Sequence, residues 1–193
     1  MVKITFIHSN AKKTRYTLTI ENELEINNYL ISSDAYLRLN SPVRGTEISE
    51  RAFMDICLED ETYKAIKKAY SFLCDMDRSK QTLKTKLMQV GFSSDACDAA
   101  LDRCVELGYL NEYEQVERAV EREANYKLRG PYYIRRRLAS KGYSVSDIDR
   151  AIGVLLERGD IDFNSSFERF CEKRGAKTEE EKTKLKYRFG YKI

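Results

Sequence analysis

Residues 78–92 read RSKQTLKTKLMQVGF and residues 129–143 read RGPYYIRRRLASKGY. Laid on one another at a spacing of 51 residues, they share a pattern: Arg78 falls on Arg129, Leu83 on Ile134, Leu87 on Leu138, and Gly91-Phe92 on Gly142-Tyr143. The register runs on without a gap through Cys97 and Ile148, Leu101 and Ile152, Cys104 and Leu155, Gly108 and Gly159. It also runs backwards, with Ala65, Ala69 and Leu73 on Val116, Val120 and Ala124. A fixed period of this size is the mark of a repeat architecture. Apolar residues recur at helical spacing in each unit, Ser79 and Ser94 stand where helices start, and Gly91 and Gly108 stand where they stop, so one unit is three helices.

Applied again, the spacing puts Leu185 and Phe189 on Ile134 and Leu138, with Phe167, Phe170 and Cys171 in a first helix. A third unit therefore begins but lacks its last helix, its Gly190-Tyr191 pair comes slightly early, and the end at Ile193 is expected to fray. A unit of about 50 residues is near the lower limit for a core of its own, so neighbours are expected to stack. Cys97 and Cys104 become core positions, because their repeat partners are Ile148 and Leu155.

The first 45 residues follow a different rule. Val2, Ile4 and Phe6 alternate with polar residues, as do Tyr16, Leu18 and Ile20, which is the pattern of half-buried strands. Asn10 to Thr14 forms the turn between them, a third short strand fits Leu24 to Tyr29, and Pro42 and Gly45 close the unit. From Thr46 or Ser49 a helix carries Ala52, Phe53, Ile56 and Cys57 on one face, and a second helix follows with Ala65, Ile66, Ala69, Phe72 and Leu73 inward. The expected fold is mainly α, an elongated array of tandem three-helix repeats preceded by a small β-rich N-terminal unit. Its parts are a β-rich unit over 1–45, a connecting helix over 46–64, repeats over 65–112 and 113–163, and an incomplete repeat over 164–193.

Composition narrows the function. The chain has 193 residues, 34 basic against 31 acidic, and 42% hydrophobic residues, as a globular protein does. No apolar run reaches the roughly 18 residues of a membrane span, and no signal-peptide core follows the N-terminus, so a cytoplasmic protein without a membrane partner is expected. The five cysteines form no C-x-x-C pair, and His8 is the single histidine, so zinc sites and Ser-His or Cys-His catalysis lack their central residues. Neither common phosphate-cradling glycine loop is present. No enzyme, metal or cofactor is expected, and the five cysteines are read as reduced and mostly buried.

Charge is uneven. Residues 129–193 hold 16 basic and 10 acidic side chains, while the earlier segments are close to balance. Such asymmetry points to an anionic partner. The centre of the excess is Arg129, Arg135, Arg136, Arg137 and Lys141, with Pro131 suited to the first helical turn and Arg137 and Lys141 one turn apart as a phosphate or carboxylate clamp. Equivalent helices carry Lys80, Lys84 and Lys86 in the first unit and Lys182, Lys184, Lys186 and Arg188 in the third. Together they are expected to form a basic stripe, interleaved with Tyr126, Tyr132, Tyr133 and Tyr187. The glutamates of residues 112–123 are read as a solvated face.

The run Arg78-Ser79, Leu83, Leu87, Gly91-Phe92, then Leu107-Gly-Tyr-Leu-Asn-Glu112, then Arg129-Gly-Pro, Ile134, Leu138, Lys141-Gly-Tyr143, resembles the RecX family of recombination regulators over about residues 47 to 175. The passage Val43 to Ser49 and the β segment resemble the extension of longer members. The resemblance implies a non-enzymatic protein that binds the RecA filament and modulates, mainly inhibits, its ATPase, strand-exchange and co-protease activities, with single- or double-stranded DNA as a further partner. On this reading the RecA- or DNA-binding residues are Arg129, Tyr132, Arg135, Arg136, Arg137 and Lys141, extended by Lys84, Lys86, Lys184, Lys186 and Arg188, in a protein acting as a monomer. The alternative is a stand-alone DNA-binding module without sequence preference.

Overall fold

The computed structural model describes residues 2–22 and 24–190, so Tyr191 and Ile193 of the third repeat lie outside the described residues. The chain divides into two compact units, Met1–Cys74 with Lys84–Tyr109 and Asp75–Leu83 with Leu110–Ile193. Among the described residues no helix is long and apolar enough to cross a membrane.

The first unit opens with strands β1 (Val2–Ser9), β2 (Arg15–Glu21) and β3 (Ile26–Ser32), then the short helix α1 (Ser33–Arg38) and strand β4 (Glu47–Ile48). They form an antiparallel sheet in the order β3-β2-β1-β4. The Asn10–Thr14 turn forms as expected, held by the Asn10 side chain accepting from the Thr14 N–H at 2.8 Å. Phe6 does not face inward. A bulge between Ile4 and Phe6 shifts the alternation by one, so Ile4 is buried, Ile7 packs on the core and Phe6 is exposed. The third strand starts later than expected, because the Asn22 carboxamide accepts from the N–H groups of Leu24 and Glu25 and spends Leu24 on a turn.

Helix α2 runs unbroken over Glu50–Asp75, started by Ser49, whose hydroxyl accepts from the Ala52 N–H. The two helices expected on either side of residue 64 are therefore one, because no glycine or proline interrupts the segment. Its buried Asp60 accepts from the Leu30 N–H at 2.8 Å and from Lys64 Nζ at 2.6 Å, which satisfies an edge amide of β3 with a side chain. Ile56 and Phe53 complete the core under the sheet. Helix α3 (Lys80–Val90) crosses from the second unit into the first, and α4 (Ser94–Glu106) follows, capped by Ser93 rather than Ser94. Cys97 and Cys104 are buried in α4, as the repeat pattern requires, whereas Cys57 is half-buried and Cys74 exposed.

The second unit holds α5 (Glu112–Glu121), a π-helical turn (Arg122–Tyr126), α6 (Pro131–Ala139), α7 (Val145–Arg158), α8 (Phe163–Lys173) and α9 (Glu179–Phe189). One core joins them, built on Val116, Val120, Ile134, Leu138, Ile148, Leu155, Phe167 and Phe189. One glutamate of the segment read as solvated is buried instead. Glu123 lies in the π-helical turn at 3% exposure and pairs with Arg129 at 2.5 Å and Arg137 at 3.3 Å. Two cations around one desolvated carboxylate offset the loss of water that would otherwise expel it from the core. Tyr143, the repeat partner of Phe92, is also buried and donates its hydroxyl to Gln115 Oε1 at 3.1 Å.

Successive repeats meet through one contact used twice within this unit. Ser79 and Thr82, at the start of α3, donate their hydroxyls to the Lys141 carbonyl at 2.7 and 2.8 Å, and Gly142 lies against them. Gly130 and Tyr132, at the start of α6, donate their N–H groups to the carbonyls of Phe189 (2.7 Å) and Gly190 (3.1 Å). In each case the turn that ends one repeat's second helix docks on the start of the same helix in the preceding repeat. A side chain would not fit: an ideal Cβ on Gly142 meets Ser79 Oγ at 2.7 Å, and one on Gly190 meets Tyr133 Cβ at 2.8 Å. Both glycines have positive φ, +83° and +90°. Gly91 ends α3 with φ +106° but faces open space.

Three outcomes test this packing. Gly142→Ala is expected to lower unfolding stability by about 2–3 kcal/mol in denaturant titration, and Gly91→Ala by about 1 kcal/mol, since only the first adds a clash to the conformational cost. Glu123→Gln is expected to cost about 2 kcal/mol, less than the roughly 3–5 of a fully buried pair because both guanidinium groups reach water. Burial, helped by Asp77 and Glu112, pushes the Tyr143 hydroxyl up to about 12. The folded state then keeps its proton between pH 10 and 12 while the unfolded chain loses it, so stability falls as pH rises through that window. Tyr143→Phe should remove this slope, and cost about 1–2 kcal/mol near neutral pH by leaving Gln115 unpaired.

Candidate functional site

The basic residues singled out by sequence fall into two groups by what the fold does with them. Lys84 and Lys86 lie in the first unit, the others in the second. Lys84 pairs with Asp98 at 2.6 Å, and Lys86 lies 5.7 Å from the centre of the Phe72 ring. In the second unit Arg129 and Arg137 hold Glu123, with Arg129 also 4.4 Å over the Tyr133 ring. Arg135 pairs with Asp149 at 2.6 Å, both half-exposed, an interaction that costs little to exchange. Lys182 is held by Glu168 at 2.6 Å, and that hydrogen bond raises its pKa above the ordinary lysine value.

Arg136, Lys141, Lys184, Lys186 and Arg188 are exposed, and none has an ion-pair partner among the described residues. Lys141 does not extend the face of Arg137. Helix α6 stops at Ala139 with Ser140 as its C-cap, and Lys141 sits in the turn whose carbonyl docks on α3. The carboxylate that Arg137 binds is Glu123 of the chain itself, which nothing in the local pattern of residues 112–123 distinguishes from its solvated neighbours.

Helical spacing orders what is left. Tyr132, Arg135 and Arg136 stand at i, i+3 and i+4 on one face of α6, and Lys184, Tyr187 and Arg188 stand the same way on α9. Tyr132 is half-exposed and Tyr187 is 82% exposed, so both offer aromatic surface beside cations. Tyr126 is exposed too, while Tyr133 lies under Arg129. The backbone bonds from Gly130 and Tyr132 to Phe189 and Gly190 bring the end of the α9 face to the start of the α6 face. Helix α9 is fixed at its other end by a capping box between Thr178 and Glu181, whose carboxyl is held below its usual pKa by the N–H groups of Lys177 and Thr178. Up to Gly190 the third repeat is packed, with Phe189 against Phe167 and Phe170.

This surface can bind anions through charge-assisted hydrogen bonds and can stack planar groups on tyrosine. Among the described residues no group of three acidic, histidine or cysteine side chains is placed to hold a metal ion.

No family model matches the chain. Regulatory protein RecX of Lactobacillus gasseri is 29% identical over 160 residues, covering 82% of this chain and 57% of that protein. Regulatory protein RecX of Listeria monocytogenes serovar 1/2a is 25% identical over 162 residues, covering 83% and 59%. The chain thus aligns with less than two thirds of the length of these relatives. A crystal structure of regulatory protein RecX superposes with a TM-score of 0.69 at 19% identity, covering 100% of this chain and 95% of that one. RecX from Lactobacillus salivarius gives 0.58 at 18% identity, covering 69% and 90%. With the repeat pattern, these comparisons show a chain similar in sequence to proteins named regulatory protein RecX and similar in fold to RecX crystal structures.

Proposed function

We propose that the chain binds the RecA filament and modulates its activities, mainly by inhibiting ATP hydrolysis, strand exchange and co-protease action, as a cytoplasmic monomer without catalysis of its own. The observation that carries this reading is the set of cations on α6 and α9 that have no carboxylate partner among the described residues, in a chain similar to proteins named as RecX regulators. A surface of this kind grips an anionic or mixed polymer surface through several weak contacts at once. If it binds the assembled filament more tightly than free RecA, it shifts assembly and turnover by that difference in affinity. Arg136, Lys184 and Arg188 are assigned the central contacts, with Tyr132 and Tyr187 beside them. Arg129 and Arg137 act here through Glu123, by holding the start of α6 in place.

The test is ATP hydrolysis by the cognate RecA on single-stranded DNA as the protein is titrated in, with DNA binding by the protein alone recorded at the same salt. Inhibition is expected at well below one protein per RecA. The triple variant Arg136→Glu, Lys184→Glu, Arg188→Glu is expected to need at least ten times more protein for the same inhibition, with its melting temperature within a few degrees of the parent. Hydrolysis that falls only when the protein saturates the DNA itself assigns the surface to a stand-alone DNA-binding role, whose affinity drops steeply with salt. Equal inhibition by the variant overturns the residue assignment.

A further inference from the structure

A second basic feature is lined by none of the residues of the α6 and α9 faces. Lys127, Leu128, Phe170, Lys173 and Arg174 line a cleft of about 320 Å³ in the second unit. Three of its five lining side chains are cations and none is acidic, and none of the three has an ion-pair partner among the described residues. Its size is at the lower end of the roughly 300–1,000 Å³ of small-molecule sites.

Both walls are held by the fold. On one side Lys127 closes the π-helical turn, its N–H bonded to the Arg122 carbonyl at 3.2 Å. Leu128 follows in the left-handed region at φ +52°, a conformation that leucine adopts only under constraint. The constraint is visible: the Arg129 N–H bonds the Glu123 carbonyl at 3.0 Å, and the Arg129 side chain pairs with the buried Glu123 carboxylate. On the other side Lys173 ends α8 and Arg174 caps it, with the Arg174 guanidinium 5.4 Å over the Phe170 ring. A helix C-terminus favours cations, which accounts for Lys173 and Arg174 singly. It does not account for Lys127, brought opposite them by a strained backbone.

We propose that this cleft binds a single nucleotide unit, its phosphate held by Lys127, Lys173 and Arg174 and its sugar and base against Leu128 and Phe170. Three converging cations select a phosphate, and an apolar floor in a cleft several times larger than phosphate selects one that carries a ring. The site shares no residue with the surface assigned to RecA and stands or falls independently of that assignment. The nucleotide is either free in solution or part of a nucleic-acid strand, and the chemistry of recognition is the same for both.

The test is titration of the full chain with thymidine 5′-monophosphate at low salt, followed by calorimetry or NMR. Saturable binding at one site is expected. The double variant Lys173→Glu, Arg174→Glu should bind at least tenfold more weakly, Lys127→Glu on the opposite wall should do the same, and Lys12→Glu in the hairpin turn of the first unit, which does not line the cleft, should bind as the parent does. Melting temperatures of the variants report that the fold is kept, and the two independent walls keep the test open if one variant fails to fold. An oligothymidylate lacking a terminal phosphate should displace the mononucleotide, which identifies a strand as the source. Failure to displace identifies the free nucleotide, and both results uphold the cleft. Absence of saturable binding by the parent, equal affinity in the variants of both walls, or competition by inorganic phosphate on equal terms with the mononucleotide overturns the proposal.

Discussion

The contact between the glycine turn of one repeat and the helix start of the preceding one is the constraint on which the second unit rests. At Gly142 the Ser79 and Gln81 side chains, and at Gly130 and Gly190 the two backbones themselves, approach until only a hydrogen atom fits at the glycine. The approach brings carbonyl groups that the end of a helix leaves unpaired to donors at the start of another, so both helix ends are satisfied by one another rather than by water. The donors differ, hydroxyls in the first case and amides in the second, but the place in the repeat is the same. The third repeat reaches it three residues early, since Gly190 stands where strict register would put residue 193. Its second helix is nevertheless as long as α3 and longer than α6, so the docking is kept by an earlier end and not by a shorter helix.

Glu123 acts on the same junction from the other side. By holding Arg129 it fixes the loop that leads into α6, and by reaching Arg137 it ties that loop to the second turn of the helix. The start of α6 is then placed by two unrelated interactions, a buried ion pair and the carbonyls of Phe189 and Gly190. Such over-determination is what keeps Leu128 in the left-handed region, where an unconstrained leucine would relax. The π-helical turn just before it belongs to the same device, because widening the helix by one residue carries Glu123 inward.

Much of this was legible in sequence, and the remainder was not for identifiable reasons. The repeat was visible because apolar spacing and the positions of glycine survive where identity does not: Leu83 and Ile134, Gly91 and Gly142. The burial of Cys97 and Cys104 followed from their partners alone. The misplaced Phe6 shows the limit of a period-two pattern, which a single bulge inverts without leaving a mark in composition. The division of α2 into two helices failed for a similar reason, since a change of partner along a helix looks like a boundary although nothing breaks the backbone. Glu123 was unreadable because its burial depends on Arg129 and Arg137, whose positions are set by tertiary structure.

The charge pattern carries the same lesson into function. A count of Lys and Arg in residues 129–193 treats all of them as available to a partner, but the fold has already used several. Arg129 and Arg137 neutralise a carboxylate that would otherwise destabilise the core, and Lys182 joins α9 to α8 through Glu168. Exposed pairs such as Arg135 with Asp149 lie between these cases, because water screens them and a competing anion can replace the partner. Within that segment the subtraction leaves Arg136, Lys141, Arg169, Lys173, Arg174, Lys177, Lys184, Lys186 and Arg188 exposed and without an ion-pair partner among the described residues, and the partner we propose draws on these. Keeping like charges unpaired is unfavourable for the isolated fold, so a partner that supplies the missing anions gains that energy on binding.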